Sequence, residues 1–506
     1  MKNIVIVGGG TAGWLTALYV KKICPNDNIT LIESEEIGII GAGEGAVPLV
    51  HNMINSLGLD INDLIKECNA TIKLGIKFQN WNGDNTSYFA ALLSNNDFSL
   101  KNPLQYGIYE NGETLHYINS IANNESIEDY SLVTQLAYSN KSPIVKDGDE
   151  YMLTSNFSFQ FDATLLAKYL RRAAEERGII RIEGRVTKIN ENVDGGIKSV
   201  VTNDTEYHTD FIFDCTGFAR LIIGKHYGTE WKSYQDKLKV NTAIPFFLPM
   251  DENIPTYMTA TSMKYGWMWK TPLQNRYGCG YIFDSNYISV EDAQKEVEEH
   301  LGFQIKPIKT IPFNAGRYNT PWIKNCLAVG LSASFTEPIE ATAIWGICNQ
   351  LLRISNKNIY ECDSDFIEEY NSYLNKTLDY TVDFLQFHYL TKRTDTDFWK
   401  TYADTTTLSP ELERKTKRWK KRTPNWYDFG VVYEELDLIV WLTTAIGLDF
   451  IPNKVFVEEN KVYDLDNRIT DFLMQQKNYI DYLVNKSLTH NELLEMIKTN
   501  KFKIKL

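Results

Sequence analysis

The sequence predicts an α/β fold whose parallel sheet is assembled from segments spread along 506 residues, with a β-rich region inserted between them and a mainly helical C-terminal region. Three observations carry this. The short apolar run Asn3–Val7, the stretch Gly8-Gly9-Gly10-Thr11-Ala12-Gly13, a helical pattern over Trp14–Ile23 and a second apolar run Ile29–Ile32 form a strand–helix–strand unit. Between Trp231 and Pro312 the pattern is that of aromatic strands, around Trp267 and Tyr281. From Asn356 onward it is mainly helical. At roughly 150 residues per unit, the length fits about three structural units.

In chain order, Val47–Leu57 reads as a helix. Thr71–Phe78 alternates: Ile72, Leu74, Ile76 and Phe78 share one face of a strand, and Lys73 and Lys77 share the other. Asp84–Glu150 is polar and Asn-rich and reads as an irregular excursion. Asp162 is placed to cap a helix to about Arg177, with Leu165, Leu166, Tyr169 and Leu170 inward and Gly178 as its stop. Strands are expected at Ile180–Glu183, Val186–Asn190 and Phe211–Cys215, with a turn at Asp194-Gly195-Gly196. Cys326–Leu331 reads as a buried strand, and a helix is expected from about Glu340 to Ile354.

Composition narrows the function classes. Lys and Arg number 52 against 65 Asp and Glu, a net charge of −13. A polyanion-binding protein carries a basic face; the one candidate run, Arg414–Arg422, reads as a solvated helix face, so no nucleic-acid partner is expected. No two of the seven cysteines have metal-ligand spacing, which favours structural thiols, a reducing compartment and no metal. The N-terminus reads as a folded strand without a signal peptide, and no apolar run reaches the ~18 residues of a membrane span. A cytoplasmic protein is expected. Its 29 Tyr and 11 Trp suit a protein that binds flat rings, or a large aromatic core.

The Gly8-x-Gly10-x-x-Gly13 loop between strand and helix allows a tight turn and a close approach of backbone to pyrophosphate at a helix N-terminus. Glu33, about 20 residues further on at the end of the second strand, is placed for ribose hydroxyls. This unit serves NAD and FAD alike. The later strand ending Asp214-Cys215-Thr216-Gly217, after a β-hairpin, and Gly330-Leu331 at a further strand end resemble FAD-dependent monooxygenase folds.

Further segments sharpen the reading: Gly41-Ala42-Gly43-Glu44; Ile72-Lys73-Leu74-Gly75-Ile76-Lys77-Phe78-Gln79-Asn80-Trp81; Trp267-Met268-Trp269-Lys270-Thr271-Pro272; Phe335-Thr336-Glu337-Pro338-Ile339-Glu340-Ala341-Thr342; and the patches Phe387-His388-Tyr389 and Asp397-Phe398-Trp399. As a set they resemble the tryptophan halogenase family of flavin-dependent halogenases, from the first strand to about Trp399 and fading beyond it. Trp267–Pro272 is similar to the family's WxWxIP, with Thr271 in place of Ile; on residue pattern alone Trp267 and Trp269 also fit one face of a packed strand.

The resemblance implies an FAD-binding Rossmann-like (monooxygenase-type) domain. It makes Lys73 the catalytic lysine, where a free-standing strand would leave Lys73 and Lys77 solvated, and Glu340 rather than Glu337 the catalytic glutamate. Its FAD would be bound by Gly8, Gly10, Thr11, Ala12 and Gly13, by Glu33, Ser34, Ile37 and Ile40, and by Gly43, Gly45, Leu331 and Ile344. Halide would sit on the backbone N–H groups of Thr342 and Ala343, where the family's Ser-Thr-Gly is Ala341-Thr342-Ala343. Segments 1–83, 151–230 and 313–355 would build the FAD and halide sites, and 84–150, 231–312 and 356–506 the substrate side.

The implied activity is two-component halogenation. FAD reduced through a separate flavin reductase, O2 and halide give hypohalous acid, which travels to Lys73 and an electron-rich aromatic, indole- or phenol-like. Free tryptophan is expected to be a poor acceptor, because Trp441–Pro452 matches the family's pocket poorly. Bromide or iodide is expected over chloride. Homo-oligomerisation is open. Two other readings are an FAD-dependent aromatic hydroxylase and a non-catalytic flavin-binding protein.

Overall fold

The computed structural model describes residues 1–38, 43–92, 114–429 and 438–504. Its organising element is a six-stranded sheet in the spatial order 180–183, 28–33, 3–7, 211–214, 326–328, 322–323, parallel except for the last pair. Ile4–Val7 and Phe211–Asp214 are buried throughout, as strands of a parallel sheet covered on both faces must be. Val7 pairs with both Ile32 and Asp214, so Gly8, Glu33 and Cys215–Gly217 emerge together at the carboxyl ends of adjacent strands. Ligands of open α/β sheets bind at such a crevice. The helix Thr11–Ile23 begins directly at the glycines.

The second sheet has seven strands in the order 311–312, 242–249, 276–283, 266–272, 257–263, 75–79, 87–91. It corrects two expectations. Thr71–Phe78 is not one strand. Thr71–Lys73 pairs with Ser158–Phe161 in a small three-stranded sheet, whereas Gly75–Gln79 runs parallel to Tyr257–Met263 in the large one. The chain changes sheets at Leu74, whose N–H donates to the Thr256 carbonyl at 2.6 Å and whose carbonyl accepts from Leu92 N–H at 2.8 Å. Alternation survives the break, but Thr71, Ile72, Lys73 and Leu74 are all wholly buried, so neither face is a solvent face.

The described part of 84–150 is likewise no irregular excursion. Among the described residues Ser87–Ala91 is the edge strand of the large sheet, Leu115–Ala122 and Leu132–Tyr138 are helices, and Lys141–Asp147 pairs with Ser487–Thr489 from the far end of the chain. The chain's end thereby returns to the first sheet, where Leu493, Leu494 and Ile497 share a core with Ile4, Ile6 and Trp14. A second core holds Trp267, Phe384, Phe387, Trp419 and Trp441.

Smaller differences follow local chemistry. The β-rich region contains a helix, Val290–Leu301, capped by Ser289. The strand expected at Val186–Asn190 is Lys188–Glu191. The strand from Cys326 ends at Ala328, and a 3-10 turn, Gly330–Ser332, follows, with Gly330 at φ +66°. Asp162 caps Ala163–Glu175 by accepting from Thr164 and Leu165 N–H, a contact worth about 1 kcal/mol. The basic run is a solvated face in part: Lys417, Lys420 and Lys421 are exposed, while Arg418 and Arg422 reach the buried Asp428 at 3.4 and 2.6 Å and Lys415 is itself buried. No helix among the described residues is long and apolar enough to cross a membrane.

Candidate active site

The glycine loop has the shape of an anion cradle. Gly8 sits at φ +114°, and a Cβ there would lie 2.2 Å from the Cys215 carbonyl oxygen. A Cβ on Gly13 would lie 1.8 Å from the Gly8 carbonyl oxygen, so helix and strand close up only on glycine. Among the described residues, Gly10, the helix N-cap, has nothing within 4 Å of such an atom, and no acidic residue stands in the helix's first turn. That space, beside the half-buried Thr11 and Ala12, is what a pyrophosphate needs. Glu33 accepts from Arg181 Nε at 2.6 Å through Oε1, while its Oε2 lies over Gly9.

Gly330 packs onto Ala12, which brings Leu331 to the same cradle. Ser34 is half-buried and Ile37 is exposed at the rim. Ile40 lies outside the described residues. Ile344 departs from expectation, because its side chain is buried in the core beneath the sheet and offers a cofactor only backbone. Taken together, the open cradle at Gly10 and the clustered strand ends fit FAD.

Lys73 is wholly buried, and its Nζ donates to the Ala46 carbonyl at 3.2 Å. The strand Ser158–Phe161 places it there by pairing with Lys73 on one side and with Glu44–Gly45 on the other. A Cβ on Gly45 would lie 3.2 Å from Nζ, so the second glycine loop and Lys73 are neighbours. Gly43, at φ +76°, packs on Gly278. Burial pulls the Lys73 amine down from 10.5 to about 8, and the charge of Glu340 acts in the opposite direction. Lys77, four residues on, is half-buried and stacks over the Tyr138 ring at 5.1 Å. The two lysines sit in different sheets and in different surroundings.

Glu340 does not begin a helix. The helix is Thr342–Leu352, and its N-cap, Ala341, has left-handed backbone at φ +56°. Glu340 Oε1 lies 3.0 Å from His388 Nε2. Glu337 is fully buried, with Oε2 accepting from Trp267 Nε1 at 2.9 Å and from the Tyr389 hydroxyl at 2.5 Å. Burial raises its carboxyl to about 7, against those two hydrogen bonds. Trp267 is therefore a specific donor as well as a packed strand residue, whereas Trp269 packs against Gly280.

Two residues of this site are absent from the expected set, His388 and Tyr88. Tyr88 stacks on Phe78 with centroids 4.8 Å apart, and its hydroxyl is buried without a hydrogen-bond partner among the described residues. The charge of Glu340 adds to burial in raising that phenol. His388 was visible only inside the Phe387-His388-Tyr389 patch; no spacing connects it to Glu340.

At the helix start, the Thr342 and Ala343 N–H groups have no hydrogen-bond acceptor among the described residues. They border a pocket shared with Gly330, Leu331 and Thr336, and the Thr342 hydroxyl lies 2.9 Å from that of Thr336. Ala343 is an exposed residue in ordinary helix, and the Cβ in an unfavourable backbone region belongs to Ala341.

The profile of the family described as tryptophan halogenase matches residues 3–462. This chain belongs to the tryptophan halogenase family. The match passes well beyond Trp399, where the recognisable motifs stop. The halogenase is 30% identical over 471 residues to a tryptophan 6-halogenase of Streptomyces toxytricini, covering 88% of this chain and 89% of that one. It is 32% identical over 422 residues to a tryptophan 7-halogenase of Lentzea aerocolonigenes, covering 79% and 78%. Its fold superimposes on a flavin-dependent halogenase from Xanthomonas campestris with a TM-score of 0.85, 27% identity and 98% of each chain covered. It is a flavin-dependent halogenase, and FAD is the cofactor this family implies.

Proposed function

We propose that this halogenase oxidises halide to hypohalous acid beside the Thr342–Leu352 helix and uses Lys73 and Glu340 to halogenate an electron-rich aromatic, indole- or phenol-like. The observation that carries the reading is a wholly buried lysine, coupled by charge to Glu340 and lying against the second glycine loop. FAD would be held by Gly8–Gly13, Glu33, Gly43 and Leu331; reduced through a separate flavin reductase, it supplies with O2 the oxidising power for the halide.

The chain's own groups do the rest. The free N–H groups of Thr342 and Ala343 hold the anion. The Lys73 ammonium donates a hydrogen bond to the oxygen of hypohalous acid, or its free amine takes the halogen as a haloamine; either way the electrophile is fixed in a site closed to water. The ring carbon attacks the halogen: on hypohalous acid the halogen–oxygen bond breaks and the leaving oxygen takes a proton from the Lys73 ammonium to depart as water, and on the haloamine the halogen–nitrogen bond breaks and returns the free amine. The Glu340 carboxylate offsets the positive charge of the ring and accepts its proton.

The test is product mass spectrometry with a flavin reductase, each halide in turn, and a panel of indoles and phenols. A halide-dependent product that Lys73→Ala abolishes, while hypohalous acid still forms, is the expected result. Halide-independent oxygen insertion would instead mean hydroxylation. The curated relatives are named for tryptophan, which is the second acceptor class to consider. We expect free tryptophan to be poor, because Trp441–Pro452 matches the family's pocket pattern poorly. Efficient, regioselective chlorination of tryptophan would reverse that choice.

A further inference from the structure

Glu340 faces a histidine whose protonation is constrained from both sides. His388 is wholly buried at the C-terminus of the helix Ser364–Phe387. Its Nδ1 lies 2.9 Å from the Phe384 carbonyl oxygen, which can only accept, so Nδ1 carries a proton. Its Nε2 lies 3.0 Å from Glu340 Oε1. With Nδ1 committed as donor, the second contact is a hydrogen bond only if a further proton lies between imidazole and carboxylate. A bare nitrogen lone pair at that distance from a carboxylate oxygen would be repelled.

Packing holds the ring in this pose, with the Phe384 and Phe78 centroids 4.7 and 5.2 Å away. The other groups that act on the pair are Lys73 and Tyr88, by their charge interaction with Glu340, and Glu337, by its interaction with His388. Glu337 is itself held by Tyr389. Two adjacent residues thus hold both carboxylates of the 335–342 segment.

We propose that His388 is the positioning residue of the reaction: it holds the proton of a His388–Glu340 pair, which fixes Oε1 on the imidazole and leaves Oε2 to the substrate. The proposal rests on the reading of Glu340 as the group that meets the ring intermediate. In that step the ring C–H bond breaks, its electron pair restores aromaticity, and the proton passes to Oε2. A carboxylate hydrogen-bonded through one oxygen to a packed imidazole is held in one orientation and cannot swing away.

The first test needs no substrate. In the FAD-loaded full chain, 15N spectra of the seven histidine imidazoles, assigned through His388→Gln, report which nitrogens bear protons. Expected is a protonated His388 Nε2 at pH 7 that becomes unprotonated in Glu340→Gln, where the amide donates instead. An unprotonated Nε2 in the parent enzyme overturns the proposal.

The second test is bromination of the indole and phenol panel. His388→Phe should lower product formation on the order of 10- to 100-fold, with hypobromous acid, trapped by a 1,3-diketone, still formed at the parent rate. His388→Gln, which keeps a donor near the position of Nε2, should recover most of the loss. It also serves as the variant should the phenylalanine form fail to fold. The double variant Glu340→Gln/His388→Phe should be no slower than Glu340→Gln alone; multiplied losses would show a merely structural role and overturn the proposal. If Glu340→Gln is itself fully active, the reading of Glu340 fails, while the imidazole spectra still decide the pair.

Discussion

Lys73 shows how a single residue's surroundings set its chemistry. Its amine is brought down to about 8 by burial and held from falling further by Glu340. If the ammonium is the working form, product formation falls as pH rises through about 8; if the free amine is, it rises there. We expect the fall. Because the Glu340 charge raises the Lys73 value, Glu340→Gln should move that limb to lower pH, and an unmoved limb would show that the two groups do not interact. Stability follows the same group. Between about 8 and 10.5 the unfolded chain binds more protons at this lysine than the native one, so native stability rises with pH across that window. Below about pH 8 the cost of burying the charge is present in full. Lys73→Met should accordingly stabilise the fold at pH 7 by on the order of 3 kcal/mol, a gain that shrinks as pH approaches 10.5, while halogenation is lost. Urea denaturation at pH 7 and pH 10 measures both signs. Lys77→Ala, outside the site, should leave activity nearly intact.

At the scale of an element, the start of the Thr342–Leu352 helix is where we propose that halide is held. Ala341 is its N-cap without a capping side chain and pays the left-handed backbone cost of an L-residue, roughly 1–2 kcal/mol. Ala341→Gly should therefore raise stability by about 1 kcal/mol, and Ala343→Gly, in exposed helix, should lower it by a similar amount. Denaturation midpoints that move the same way for both would contradict this placement of strain. At the proposed halide site, the missing hydroxyl at Ala341 would leave the loop around the anion less firmly fixed. A small, strongly hydrated chloride needs a tight pair of N–H donors more than bromide or iodide does, so the larger halides should dominate in competition at equal concentration. Ala341→Ser should move the product ratio toward chloride. If it does not, halide choice arises outside this turn.

Over the whole molecule, the Gly8 cradle lies on the six-stranded sheet, whereas Gly45 and Lys73 share the small sheet built on Ser158–Phe161. The strand ends at Gly8, Glu33 and Gly217 account for one dinucleotide cradle. We therefore expect reversible FAD binding and no sustained turnover on NADPH with FAD unless a reductase or chemically reduced flavin is added. Steady turnover with NADPH and FAD alone would sink the two-component reading.

Much of this was legible in the sequence, because it is written in short range. A strand, a glycine loop, a helix and a second strand within the first 33 residues are dictated by local sterics, and Asp162 caps its helix with its own side chain. The motif set placed Lys73 and Glu340 by resemblance. What local pattern could not decide was partnership. Period-two alternation runs through Thr71–Phe78 because the chain stays extended, yet the switch of sheets at Leu74 depends on Thr256 and Leu92. The burial that tunes Lys73, the left-handed turn at Ala341 and the meeting of His388 with Glu340, 48 residues apart, arise only when distant segments pack together. Alternation and capping are properties of neighbouring residues; dielectric surroundings and hydrogen-bond partners are properties of the assembled chain.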